Sequence, residues 1–128
     1  MSKDTRIRIL CVDDHALMRE AIASLITFQP DMLLVAEAST GEEAIRKYKE
    51  HHPDVTLMDL RLPDMDGIDA MIAIRAEAPD AAIAMLTTFE GEAERARQAG
   101  ARAYILKNTP PKELADAIRR VHAHKQFS

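Results

Sequence analysis

Cysteine occurs once in the 128 residues, so no disulfide can close within the chain. A reducing compartment, the cytoplasm, is the expected setting. The one thiol, Cys11, lies inside an apolar run and reads as a small core residue rather than a reactive group. No apolar run approaches the ~20 residues that a membrane span requires. The opening MSKDTRIRIL lacks the longer apolar stretch of a secretory signal. There is no basic surplus either: 17 Lys and Arg stand against 21 Asp and Glu, for a net charge of −4. A domain that binds nucleic acid by itself would usually show the opposite balance. Neither a P-loop nor a GxGxxG fingerprint is present, which leaves a nucleotide-binding reading with little support. Repeats and low-complexity segments are absent as well.

What is present is an ordinary globular composition, 47% hydrophobic and 30% charged, at a length that suggests one domain with a proper core. Strand-like and helix-like segments alternate throughout. IRILCV (7–12), MLLVAEA (32–38), VTLM (55–58), AAIAML (81–86) and RAYIL (102–106) read as strands. Residues 15–28 read as a helix, with Met18, Ala21, Ile22, Leu25 and Ile26 at helical spacing. Ser39 or Thr40 caps a second helix with Glu42 and Glu43 in its first turn and Ala44, Ile45 and Tyr48 inward. The turn-rich LRLPDMDG (60–67) leads into a third helix that runs to about Ala78 and buries Ile68, Met71 and Ile74. A last helix runs from about Pro111 to His124 and buries Leu114, Ala117, Ile118 and Val121. Five apolar strands separated by helices imply a doubly wound five-stranded parallel sheet, α/β in class, with helices on both faces.

In such sheets ligands bind beyond the carboxyl ends of the strands. Asp13 and Asp14 follow the first strand, Asp59 the third, Thr87 and Thr88 the fourth, and Lys107 the fifth. All six can reach one rim. Each residue alone has a plainer reading. The aspartate pair suits a helix N-cap, Asp59 a loop, Lys107 a solvated surface and Thr87 a strand; their convergence argues against these. Carboxylates at ~4 Å repel by about 4 kcal/mol per pair at an effective dielectric near 20, and a divalent cation removes the problem. An oxygen-rich set without cysteine or clustered histidine favours magnesium, manganese or calcium over zinc; a small, water-rich site suits magnesium, which often bridges to a phosphate. Asp59 would then be a nucleophile able to form an acyl phosphate. Metal, lysine and hydroxyl would stabilise the transferring group.

CVDDH, LMDLRLPDMDGI, AMLTTF and GARAYILKNTPPKELADAIRRVH occur in order over nearly the whole chain. Together they resemble the receiver domain of two-component response regulators. The VDDH opening and the ending ILKNTPPKELADAIRRVH resemble the NarL/FixJ subfamily, whose members usually carry a LuxR-type helix-turn-helix domain after the receiver. The resemblance implies a flavodoxin-like fold and phosphorylation of Asp59 by a sensor histidine kinase. It implies direct Mg²⁺ ligation by Asp14 and Asp59, with Asp13 acting through water and the backbone carbonyl of Arg61 as a further ligand; Mn²⁺ suits the same set. Thr87 would hold a phosphoryl oxygen, Lys107 its charge, and Tyr104 would be an aromatic switch that turns inward when Thr87 moves. Residues 1–128 would form a single receiver domain, a fragment of a longer regulator that contacts DNA only through a missing C-terminal domain. Pairing in the subfamily often uses the first and last helices, so a weak homodimer through 15–28 and 111–124 is expected, with no membrane partner.

The chain departs from the family pattern in three places. Thr87 and Lys107 are 20 positions apart, about two fewer than usual, and the shortfall lies in EGEAERARQAG (90–100), which has no large apolar side chain. A short, weakly anchored fourth helix is expected there. Lys107 is followed by Asn108 where many receivers have proline. Arg61 and Phe89 flank the phosphoryl pocket, and neither is an acid or amide that could hold an attacking water, so slow self-dephosphorylation is expected. The domain would thus be no turnover enzyme. The rivals are a stand-alone relay or scaffold receiver, a receiver-like domain never phosphorylated, and a Mg²⁺-dependent aspartyl-phosphate phosphatase. Arg61 counts against the last, which would need a second aspartate two residues after the nucleophile.

The remaining polar residues have plainer assignments. His15 reads as a cap-region or rim residue, and His51 and His52 as helix-end residues that favour the dipole. His122 and His124, two apart on a helix, face different ways. DMDG (64–67) lacks the rest of a calcium-loop spacing. Lys112, Arg119, Arg120 and Lys125, interleaved with Glu113 and Asp116, read as a solvated helix face.

Overall fold

The computed structural model describes residues 4–123. Five strands, β1 (Ile7–Val12), β2 (Met32–Ala38), β3 (Val55–Met58), β4 (Ile83–Thr87) and β5 (Ala103–Leu106), alternate with five helices. The helices are α1 (Ala16–Thr27), α2 (Gly41–His51), α3 (Gly67–Glu77), α4 (Ala93–Gln98) and α5 (Pro111–Ala123). The strands form one parallel sheet in the order β2-β1-β3-β4-β5. The sheet is doubly wound, as the strand and helix alternation implies, and its order is the flavodoxin-like one that the receiver resemblance implies.

The alternation of side chains along β1 explains the two-sided core. Ile9 and Cys11 point to one face, where Leu57, Ile22 and Ile26 of α1 and Ile118 and Val121 of α5 are buried. Leu10 and Val12 point to the other, with Met58, Met85, and Ile68, Met71 and Ile74 of α3. Each such side chain contributes about 1.5–3 kcal/mol on burial, so both faces are closed by apolar packing. Burial pushes the Cys11 thiol up to about 12, which makes it the inert core residue expected.

Several boundaries move. Ala81 and Ala82 stand outside β4, because the Ala81 N–H closes a turn onto the Ala78 carbonyl. The strand instead extends to Thr87, so Thr87 ends β4 rather than following it. Arg102 likewise precedes β5. Thr40 caps α2 by accepting from the Glu43 N–H, while the Glu43 carboxylate accepts from the Ser39 N–H. His52 ends α2 in the left-handed conformation, at φ 46°. His124 and Lys125 lie outside the described residues.

The acids of DMDG are helix caps. Asp64 accepts from the Gly41 and Glu42 N–H groups at 2.8 and 2.9 Å, which holds its carboxyl below the usual range. Asp66 accepts from Ile68 at 2.8 Å and caps α3. Asp66 also pairs with Arg95 of α4 at 2.7 Å. Helix α4 is short, six residues, as expected, and only Ala96 of it is buried. This polar cross-link ties it to the start of α3, and Arg75 donates to the carbonyl of its C-cap residue, Ala99. Arg119 departs from a solvated reading: it grips Asp31 through two nitrogens, at 2.8 and 2.9 Å, and reaches Gln29 and Asp116.

Candidate phosphoryl-transfer and metal site

The ladder that ends each central strand delivers the acids to one place. The Asp13 N–H donates to Ala38 and the Asp59 N–H to Val12, at 3.0 and 2.9 Å, so both residues continue the pleat past their strands. Asp13 and Asp59 are only 2% and 4% exposed, and Asp14 is exposed. One donor atom from each of Asp13, Asp14, His15 and Asp59 lies within 4.8 Å of the others. The three carboxylates expected to meet therefore do so.

Lys107 reaches the same hollow because its N–H extends the β4–β5 ladder onto the Thr87 carbonyl, at 2.9 Å. Its Nζ sits 2.7 Å from Asp13 Oδ2 and 3.1 Å from Asp59 Oδ2. One ammonium thus bridges two buried carboxylates. Burial pushes the Asp13 carboxyl up, but bonds from Lys107 and His15 outweigh it and hold the group below its ordinary value. Asp59 goes the other way: burial and the neighbouring Asp13 charge raise it, and Lys107 offsets only part. Burial opposes the charge on Lys107, yet the two carboxylates hold its pKa above the ordinary value. The ammonium is fixed in its charged form, and Asp59 is the carboxylate under most strain.

A cavity of about 380 Å³ opens over this cluster, lined by His15, Met18, Asp59, Arg61, Thr88, Phe89 and Lys107. The Arg61 guanidinium lies over the Phe89 ring, 4.1 Å from its centroid. The two residues expected to flank the pocket therefore stack on each other across it. Thr87 is buried, and its hydroxyl accepts from the Phe89 N–H at 3.1 Å; Thr88 is the threonine that borders the cavity. The Tyr104 hydroxyl donates to the Phe89 carbonyl. The Phe89 backbone therefore links Thr87 to Tyr104 through its N–H and its carbonyl, a chain of bonds no spacing in the sequence reveals.

His15 occupies the N-cap position of α1, as expected of a cap-region residue, but makes no side-chain cap bond. Neither aspartate of the pair is that helix's N-cap. The His15 ring instead faces the acids, with Nδ1 3.0 Å from Asp13 Oδ1 and 3.0 Å from Asp14 Oδ1. This was the ring that sequence reasoning left out of the cluster.

The donor set fits a small divalent cation: oxygen-rich, partly buried, and open to water on one side. A family description, the response regulator receiver domain, matches residues 9–119. The response regulator protein VraR of Staphylococcus aureus is 44% identical over 116 residues, which cover 89% of this chain and 56% of that protein. The chain thus spans about half the length of the curated relative it matches. A LuxR-family two-component response regulator from an Aurantimonas species superposes with a TM-score of 0.89 at 39% identity, covering 96% of this chain and 89% of that one. The response regulator domain of Thermotoga maritima CheB does so at 0.86 and 33% identity, over 93% and 98%.

Proposed function

The chain belongs to the response regulator receiver family of two-component systems, and from that premise we propose that Asp59 is its phosphoacceptor. The observation that carries the reading is the bridging of Asp13 and Asp59 by Lys107, at 2.7 and 3.1 Å, with a donor atom of Asp14 within 4.8 Å of one on each of those carboxylates. Asp13, Asp14, Asp59 and the Arg61 backbone carbonyl would hold Mg²⁺. When bound, the ion supplies charge neutralisation for the three carboxylates and for a phosphate.

The chain's own groups account for the rest. An Asp59 carboxylate oxygen attacks phosphorus in line, forming an acyl phosphate as the bond to the kinase's imidazole nitrogen breaks. Lys107 leaves the Asp59 oxygen and meets the phosphoryl charge. Thr87 gives up the Phe89 N–H and donates its hydroxyl to a phosphoryl oxygen. Phe89 shifts with it, and Tyr104, bound to the Phe89 carbonyl, follows. The phosphoryl group thereby favours one of two arrangements of the β4–α4 and β5 surface.

The domain is a switch and not a turnover enzyme: Arg61 and Phe89, stacked in the pocket lining, offer no base to water. The proposed output is control of transcription through a DNA-binding segment of the whole protein, with a sensor histidine kinase as the phosphate source. A weak homodimer through 15–28 and 111–124 suits the exposed apolar side chains of α1 and its C-cap, Leu17 and Phe28, which are 81% and 79% exposed. Sedimentation before and after phosphorylation tests that pairing, and identical monomers in both states would refute it.

The reading is tested by mass spectrometry after incubation with acetyl phosphate and Mg²⁺. One phosphoryl group is expected on the native chain and none on Asp59→Asn. A phosphoryl group retained by Asp59→Asn at the same rate overturns the assignment.

A further inference from the structure

His15 brings an imidazole to a site that otherwise offers oxygen. Its Nδ1 lies 3.0 Å from Asp13 Oδ1 and 3.0 Å from Asp14 Oδ1. In an octahedral shell with bonds of about 2.1 Å, adjacent donors stand about 3.0 Å apart and opposite ones about 4.2 Å. The two histidine distances match adjacent corners, and the 4.8 Å spread of the whole set is close to the opposite span. Lys107 does not compete for this space, since it takes the Oδ2 atoms of Asp13 and Asp59.

Among the described residues the polar partners of the ring are Asp13 and Asp14. His15 makes no side-chain cap bond to α1, and its side chain is 68% exposed. Packing does not hold it against the two aspartates; their charge and the turn closed by the His15 N–H onto Asp13 Oδ1, at 2.9 Å, do.

We infer that His15 is a nitrogen ligand of this metal site and tunes it toward later first-row ions, Co²⁺ above Mn²⁺, relative to Mg²⁺. The inference rests on the reading of Asp13, Asp14 and Asp59 as the metal site. Magnesium sheds water reluctantly and prefers oxygen, whereas imidazole suits the later divalent ions. Nδ1 faces both carboxylates. To hold the ion it would present its lone pair, with the ring proton on Nε2, and such binding would oxidise and reduce nothing.

Calorimetric titration of Mg²⁺, Mn²⁺ and Co²⁺ into the native chain and His15→Ala tests it, together with pulsed EPR of the Mn²⁺-loaded forms. His15→Ala should weaken Co²⁺ binding by about tenfold and Mn²⁺ binding by less, while Mg²⁺ changes by less than about twofold. A ¹⁴N coupling to Mn²⁺ should be present in the native chain and lost in the variant. Mg²⁺ binding in both proteins with no ¹⁴N coupling in the native one, or equal losses for all three ions, overturns the role of His15 alone. Failure of the native chain to bind any of the three overturns this inference and the underlying metal site together.

Discussion

Gly67→Ala is the substitution whose effect the geometry fixes most tightly. Gly67 opens α3 against the backbone of Asp59, the proposed phosphoacceptor, and its N–H donates to the Leu60 carbonyl at 2.7 Å. A Cβ at this position would stand 2.0 Å from the Asp59 carbonyl oxygen, 2.9 Å from its carbon and 3.1 Å from Leu60 Cα. All three neighbours are backbone, so no side chain can rotate away. An unstrained contact needs about 3.5 Å, so the first turn of α3 and the end of β3 must part by roughly 1 Å or more. Overpacking of this kind costs about 1–3 kcal/mol, which for a domain of this size lowers the melting temperature by roughly 3–15 °C. The same displacement moves the Asp59 carboxylate away from Lys107, and an error of ~1 Å in a reacting group costs about 100-fold in rate. Thermal unfolding and phosphorylation by acetyl phosphate, measured on one preparation, read both effects. A Gly67→Ala chain with native melting temperature and native phosphorylation rate would refute the claim that backbone contact between α3 and β3 positions Asp59.

Three further outcomes are expected. Without divalent metal, Asp59→Asn should be more stable than the native chain at neutral pH, because burial and Asp13 raise the Asp59 pKa in the folded state. The ionised form therefore penalises folding as pH rises from the ordinary 3.8 through the raised folded value, and the gain from Asn should vanish below 3.8; urea unfolding across that range decides it, and a gain that persists in acid contradicts the cause given. Residues 92–98 should exchange their amide hydrogens rapidly, since α4 buries Ala96 alone and is tied down by the half-exposed Arg95–Asp66 pair; strong protection there would refute this. The phosphorylated chain should lose its phosphoryl group slowly in Mg²⁺ buffer, given the Arg61–Phe89 stack over the pocket, and a half-life of seconds would contradict it.

The sheet was legible because its strands are short apolar runs bounded by turn residues, a signal local to each segment. Where two alanines precede a strand, as at Ala81 and Ala82, apolarity alone cannot separate a turn from the strand, and the β4 boundary slipped. The acids and lysine of the site were readable from their positions at strand ends, since the sheet itself brings those ends together. Roles set by contacts distant in sequence were not. Asp64 caps α2 from 23 residues downstream, and Arg119 grips Asp31 from 88 residues away. The direction of the His15 ring depends on a side-chain torsion, and the stack of Arg61 on Phe89 on the path of two loops. Neither leaves a periodic trace.

The central claim is that Asp59, bridged to Asp13 by Lys107, receives a phosphoryl group beside a divalent ion. A crystal structure of the chain with beryllofluoride and Mg²⁺ tests it most directly. The expected result is beryllium bonded to an Asp59 carboxylate oxygen, Mg²⁺ held beside Asp13 and Asp14, and fluoride within hydrogen-bond reach of Lys107 and Thr87. Beryllofluoride on another carboxylate, or an ion remote from Asp13 and Asp14, would contradict it.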